Sequence, residues 1–237
     1  NILYSYYKKH IKGLAMLKKI FTLIFILVFS TVSIFAQEES EDSANKPREA
    51  LLKDFVDALA SQDESLLLSA IEMGSPEVKA LCFQALSESG ASSDLLIQAI
   101  NRYVDYGLTT SYGGNSDSEV RYQALKAAKT ALSESSVQAI SSMLYSERET
   151  FNIIAAIQAL GEIGDAKAVP SLLFQLRLGR TQGIVYEAAV ALGKIGDYSA
   201  LSDLVYLAQD DRYFLAVRQA AIDAIRNINP PSENSQE

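Results

Sequence analysis

Most nucleophilic and metal-centred protein chemistry runs through histidine or cysteine, and this chain has one of each, His10 and Cys82. A Ser-His-Asp or Cys-His arrangement needs an imidazole to move the proton. His10 lies in an N-terminal stretch expected to be removed, so no catalytic residue is assigned. Zinc draws its ligands mainly from Cys and His, and one Cys is too few. Cys82 cannot form an internal disulfide either. It stands in an apolar helical pattern and reads as a buried small hydrophobe, the alternative being a reactive thiol. Carboxylate-only sites for calcium or magnesium are left. Asp63-Glu64 and Asp210-Asp211 are the densest acidic candidates. Both fall where a helix should begin, so capping and compensation of the helix dipole account for them. No metal and no cofactor is implied. Tyr112-Gly113-Gly114-Asn115 lacks the Lys and the strand-to-helix setting of a phosphate loop. It reads as a flexible turn inside a long insertion. Such insertions often carry function, which makes these four residues a candidate loop for touching a partner.

The elements that must position any site begin after a leader. Residues 1–36 hold five lysines and no acid. From Met16 the order is Lys18-Lys19, an apolar run from Ile20, and Ser33-Ile34-Phe35-Ala36, the pattern of a secretory signal over 16–36. The chain starts at Asn1, and residues 1–15 read as an upstream extension. The alternative is a retained anchor, since the apolar run is at the short limit for a membrane span. Without residues 1–36 the chain keeps 16 basic and 29 acidic residues, a net of −13. That charge repels phosphate backbones and anionic lipid. The expected partner is therefore a basic or neutral protein or extended peptide, not nucleic acid. A membrane enters only through the N-terminal segment if it stays uncleaved. The expected location is the periplasm or cell envelope, or the inner membrane if the anchor is kept.

Residues 37–46 are polar, acidic and without periodicity, as are 229–237, and both read as disordered. Between them apolar residues recur at three- and four-residue spacing. About eleven helices are expected, near 47–60, 64–73, 76–89, 93–105, 118–132, 135–145, 149–162, 166–178, 182–194, 198–208 and 212–228. The order is internal repetition. Leu160-Gly161-Glu162-Ile163-Gly164-Asp165 returns 32 residues later as Leu192-Gly193-Lys194-Ile195-Gly196-Asp197. Ala124, Ala156 and Ala188 share that offset. Pro76-Glu77-Val78-Lys79 resembles Ser118-Glu119-Val120-Arg121 at an offset of 42, and the extra residues fall in 106–117. Gly164 and Gly196 suit a left-handed helix end, and Asp165 and Asp197 suit caps of the next helix. Gly161 and Gly193 lie inside helices, where glycine costs about 1 kcal/mol, so a neighbouring helix is expected to approach closely there. The polar load of the last helix suits a terminal cap.

The two copies of Ala-Leu-Gly-x-Ile-Gly-Asp, at Ala159–Asp165 and Ala191–Asp197, resemble the HEAT-like repeats named after phycobilisome lyases. The resemblance is strong over 118–228 and weaker over 47–105. It implies an all-α fold, a right-handed α-solenoid of antiparallel helix pairs (HEAT-like or armadillo-type), with about five repeats and a closing helix over 47–228. It also implies a binding scaffold more than an enzyme. The bilin-lyase role of some relatives sits awkwardly with export, and the iron-binding His-Glu pairs of the deoxyhypusine hydroxylases have no histidine to match here. A lyase-like enzyme working through acids, tyrosines and arginines, or a structural envelope protein, is the alternative. In such repeats the second helix of each pair usually lines the concave face. Phe174 points away from the stripe of Val169, Leu172, Leu173 and Leu176, and Tyr206 is its equivalent one repeat on. Phe174, Gln175, Arg177 and Tyr206, with Arg102 at the earlier equivalent position, form the candidate partner-binding face. The alternative is that both rings pack against the adjacent repeat.

Overall fold

Several helix boundaries follow from local signals. Asp63 accepts a hydrogen bond from the Ser65 N–H at 3.1 Å and starts one helix; Ser93 and Thr181 start two others through Leu96 N–H and Ile184 N–H, both at 3.2 Å. Pro76 and Pro170 sit in first turns, where a missing N–H leaves no bond unmade. The computed structural model describes residues 48–61, 63–108 and 115–228. These hold α1 (Arg48–Ala60), α2 (Glu64–Met73), α3 (Pro76–Glu88), α4 (Asp94–Tyr103), α5 (Asn115–Ala131), α6 (Val137–Met143), α7 (Thr150–Ile163), α8 (Val169–Leu178), α9 (Gln182–Ile195), α10 (Leu201–Gln209) and α11 (Leu215–Asn227). No strand occurs among the described residues. The expected signal, lead-in and tail lie outside them.

From Leu52 onward the described helices form one unit with a continuous apolar core. In chain order α1, α3, α5, α7 and α9 are the first helices and α2, α4, α6, α8 and α10 the second helices of successive pairs; each second helix packs on the first helix that follows it, and α11 closes the stack. The first helices of successive pairs, α3, α5, α7, α9 and α11, pack directly on one another. The reason is visible in the small residues. A Cβ on Gly161 would stand 2.8 Å from the Ala191 Cβ, and one on Gly193 would stand 2.7 Å from the Cα and Cβ of Ala224. Ala124, Ala156 and Ala188 are fully buried along the same seam. The expected close approach is therefore real, and it sets the spacing of the last three first helices.

The turn after each first helix repeats as well. Gly164 and Gly196 end α7 and α9 at φ 77° and 71°, and Asp165 and Asp197 accept from the N–H two residues on, at 2.8 Å. One 3₁₀ turn then precedes each of the last three second helices. The equivalent position after α5 holds Leu132 at φ 52°, the one non-glycine with positive φ among the described residues. A side chain pays for that conformation with roughly 1–2 kcal/mol.

Two boundaries differ from expectation. The last helix begins at Leu215, not near 212, because Asp210 takes both the Arg212 N–H, at 3.1 Å, and its guanidinium, at 2.6–3.1 Å. This fixes a turn after α10. Asp210-Asp211 thus follows one helix and does not open the next. The fifth helix starts at Asn115, so helix reaches into the expected insertion 106–117.

Candidate functional site

Phe174 and Tyr206 occupy equivalent places on α8 and α10. Around them Leu172, Leu173, Leu176, Leu204 and Leu207 are buried, as helical periodicity demands. Phe174 remains 36% exposed and Tyr206 66%. The Phe174 ring leans on Tyr145, in the turn after α6, with centroids 4.9 Å apart. Tyr145 is itself exposed. Aromatic side chains from consecutive second helices therefore reach solvent on one side of the stack.

Arg177 lies one turn beyond Phe174. Its Nε and Nη2 donate to Asp203 on α10 at 2.7 and 2.8 Å. That hydrogen-bonded pairing holds the Asp203 carboxyl below the usual carboxylate range, against the opposing effect of partial burial. Arg102 makes the same kind of pair two repeats earlier: its Nη1 donates to Glu72 of α2 at 2.8 and 2.9 Å. The structure thus ties Arg102 to the first two pairs of the stack, and Arg177 to the α8–α10 junction.

Gln175 is a correction. Its side chain is fully buried, and its Nε2 donates to the Leu144 carbonyl at 2.6 Å. One residue along a helix turns the side chain by about 100°, which carries position 175 away from Phe174 and into the α6–α8 contact. It ties two second helices together and is not part of a surface. Tyr112, Gly113 and Gly114 lie outside the described residues, and Asn115 opens α5.

Sequence reasoning missed two buried polar clusters. Glu147, 1% exposed, and Arg121, 6% exposed by side chain, form an ion pair at 2.7 Å. The carboxylate also accepts from Arg148 N–H, Glu149 N–H and Asn152 Nδ2 at 2.8, 3.0 and 3.1 Å. Arg121 reaches the Tyr106 carbonyl at 2.8 Å, and Arg180 donates to the Glu147 carbonyl at 2.9 Å. Burial pushes the Glu147 carboxyl up, but these donors outweigh it and hold it below its ordinary value. The second cluster centres on Lys79. Its ammonium donates to the carbonyls of Ile71 and Glu72 at the end of α2, the first of which also accepts from the Tyr103 hydroxyl at 3.3 Å, and lies 5.1 Å from the Tyr103 ring centre. Burial pushes this amine down. The matched segments Pro76–Lys79 and Ser118–Arg121 were the available signal, since they place both cations at one repeat position.

The remaining candidates are structural. Cys82 is fully buried and burial pushes its thiol up to about 12, which suits a packed hydrophobe. Asp63 caps α2. Among the described residues no group of three His, Cys, Asp or Glu side chains could hold a metal ion. A groove between α9 and α11 has a floor of Gly193, Ala220 and Ala224. Its charged rim is already paired, Lys194 with Glu162 at 2.8 Å and Asp223 with Arg226 at 2.5 Å.

These features define a class first: a stack of helix pairs whose repeat interfaces are small or satisfied. Residues 154–176 match the model of the family described as PBS lyase HEAT-like repeat, which supports repeats of the HEAT-like kind. No curated protein matches the sequence. Solved structures with a similar course include two engineered proteins. One is 18% identical over 83% of this chain and 96% of its own, the other 20% over 76% and 89%, each with a TM-score of 0.50. Human deoxyhypusine hydroxylase in complex with glycerol is 18% identical over 77% of this chain and 81% of its own, with a TM-score of 0.46. At such identities the likeness concerns fold alone.

Proposed function

We propose that this protein is an exported, non-enzymatic scaffold that binds another protein or an extended peptide along its second helices. The observation that carries the reading is the exposure of Phe174 and Tyr206 at equivalent positions of adjacent repeats. Large aromatic side chains held out of a well-packed core are the usual anchors of binding surfaces, and single repeats offer them in register. Export rests on the Lys18-Lys19 and Ile20–Ala36 pattern.

The test is affinity capture from cell-envelope extracts with the unaltered protein and with the Phe174→Ala/Tyr206→Ala variant, both checked for helicity. Loss of specific partners in the variant is the expected result. An unchanged set of partners would remove this face from consideration. N-terminal sequencing of the extracellular or periplasmic form checks export, with Gln37 expected first.

A further inference from the structure

The exposed second-helix surface has a finer order than two rings. Positions three residues apart along each pair, and 32 apart between pairs, form a grid: Ser142, Tyr145 and Arg148; Phe174, Arg177 and Arg180; Tyr206, Gln209 and Arg212. All nine side chains are exposed. The rows are physically joined. Tyr145 touches Phe174, Arg180 donates to the Glu147 carbonyl beside Arg148, and Gln182 accepts from the Phe214 N–H at 3.1 Å, linking the last two loops.

Four of the nine are arginines and none is acidic, in a chain with 29 acids and 21 bases. The acids beneath act as struts. Asp203 and Asp210 are 17% and 7% exposed by side chain, whereas the Arg177 and Arg212 they hold are 63% and 74% exposed. Arg148 and Arg180 have no ion pair among the described residues. Glu149 and Asp211, at the margin, are the exposed carboxylates nearest in sequence. Seven of the nine present guanidinium or aromatic ring to solvent, the combination enriched at the centre of interfaces.

We infer that this grid takes an acidic, extended segment of another polypeptide, laid along the stack across the second helices. The inference rests on the scaffold reading above and names the chemistry of its partner. Packed helices are spaced by about 8–10 Å, and an extended chain advances about 3.3 Å per residue. One carboxylate in about every three residues therefore meets one arginine per repeat, and the side chains between fall on Tyr145, Phe174 and Tyr206. Local charge here opposes the net charge, so the basic or neutral partner expected from composition is replaced by an acidic one at this surface. The net of −13 over residues 37–237 disfavours a nucleic acid, whose many phosphates meet the whole field.

Fluorescence anisotropy of a labelled random Glu–Tyr copolymer against the purified protein tests this, with a Lys–Tyr copolymer and a dT20 oligonucleotide as comparisons. Binding of the Glu–Tyr copolymer alone is expected, weakening by about tenfold in Arg148→Glu, whose side chain holds nothing in the fold, and further in Arg148→Ala/Arg180→Ala/Arg212→Ala. No binding of the Glu–Tyr copolymer, equal binding by Arg148→Glu, or stronger binding of dT20 at the same arginines overturns the inference. If partners captured from extracts are lost in Phe174→Ala/Tyr206→Ala but kept in the arginine variants, the scaffold reading stands and its acidic chemistry falls.

Discussion

The α7–α9 and α9–α11 junctions are sealed by glycine against alanine, whereas the α5–α7 junction is sealed by a buried ion pair. At the position of Gly161 and Gly193, α5 carries Lys129, which reaches Gln158 only at 3.5 Å. Instead Glu147 gathers Arg121, Asn152 and two backbone N–H groups at the start of α7. Both kinds of junction join helices 32 residues apart, and where glycine stands at the contact small residues set the spacing. Where α5 has Lys129, directional hydrogen bonds act instead, and Arg121 also holds the flank of the insertion at Tyr106. The two junction types should fail in different ways.

The largest effect is expected from Glu147→Ala, which leaves Arg121 buried and unpaired. Stability should fall by about 3–5 kcal/mol, read from urea unfolding followed by circular dichroism, and Arg121→Met/Glu147→Leu should recover part of it. Next, Gly161→Ala drives a Cβ against the Ala191 backbone. A net cost of about 1–3 kcal/mol is expected, although alanine is the better helix former; an equal or higher stability would deny that close approach sets the spacing. Leu132→Gly should stabilise by about 1 kcal/mol, because it restores to the irregular junction the residue its neighbours use. Lys129→Ala should change stability by less than about 0.5 kcal/mol, since its contact is marginal.

The polar junction should also be the acid-sensitive one. The Glu147 carboxyl is held below its ordinary value, so its contribution is fully present above the ordinary carboxylate range. It is lost as pH falls through the depressed folded value. Hydrogen exchange at pH 3 should therefore open the α5–α7 contact before the α9–α11 contact. Simultaneous loss of protection at both would contradict the distinction.

This contrast also marks what the sequence could convey. Gly161, Gly193 and the Gly164 and Gly196 turns were legible because each appears twice at one spacing, and repetition turns a costly residue into a signal. Glu147 was not, because the equivalent place one repeat on is Gly179, and its partners come from three separate segments. Phe174 and Tyr206 could be placed on a helix face by periodicity. Gln175, their neighbour in sequence, could not be assigned by proximity, because a helix separates adjacent residues by about 100°. The 3₁₀ turns before α6, α8 and α10 are invisible to apolar spacing, which does not tell three residues per turn from 3.6 over so short a stretch.

Arg226 on α11 stands where α7 and α9 have Gly161 and Gly193, and it is 67% exposed and paired with Asp223. No helix can settle on α11 as closely as α11 settles on α9. Helical stacks invite end-to-end growth, since each exposed terminal helix is a template for the next, and head-to-tail contacts that do not close make fibres. One guanidinium in place of a hydrogen atom takes that close-packing template away from this face of α11.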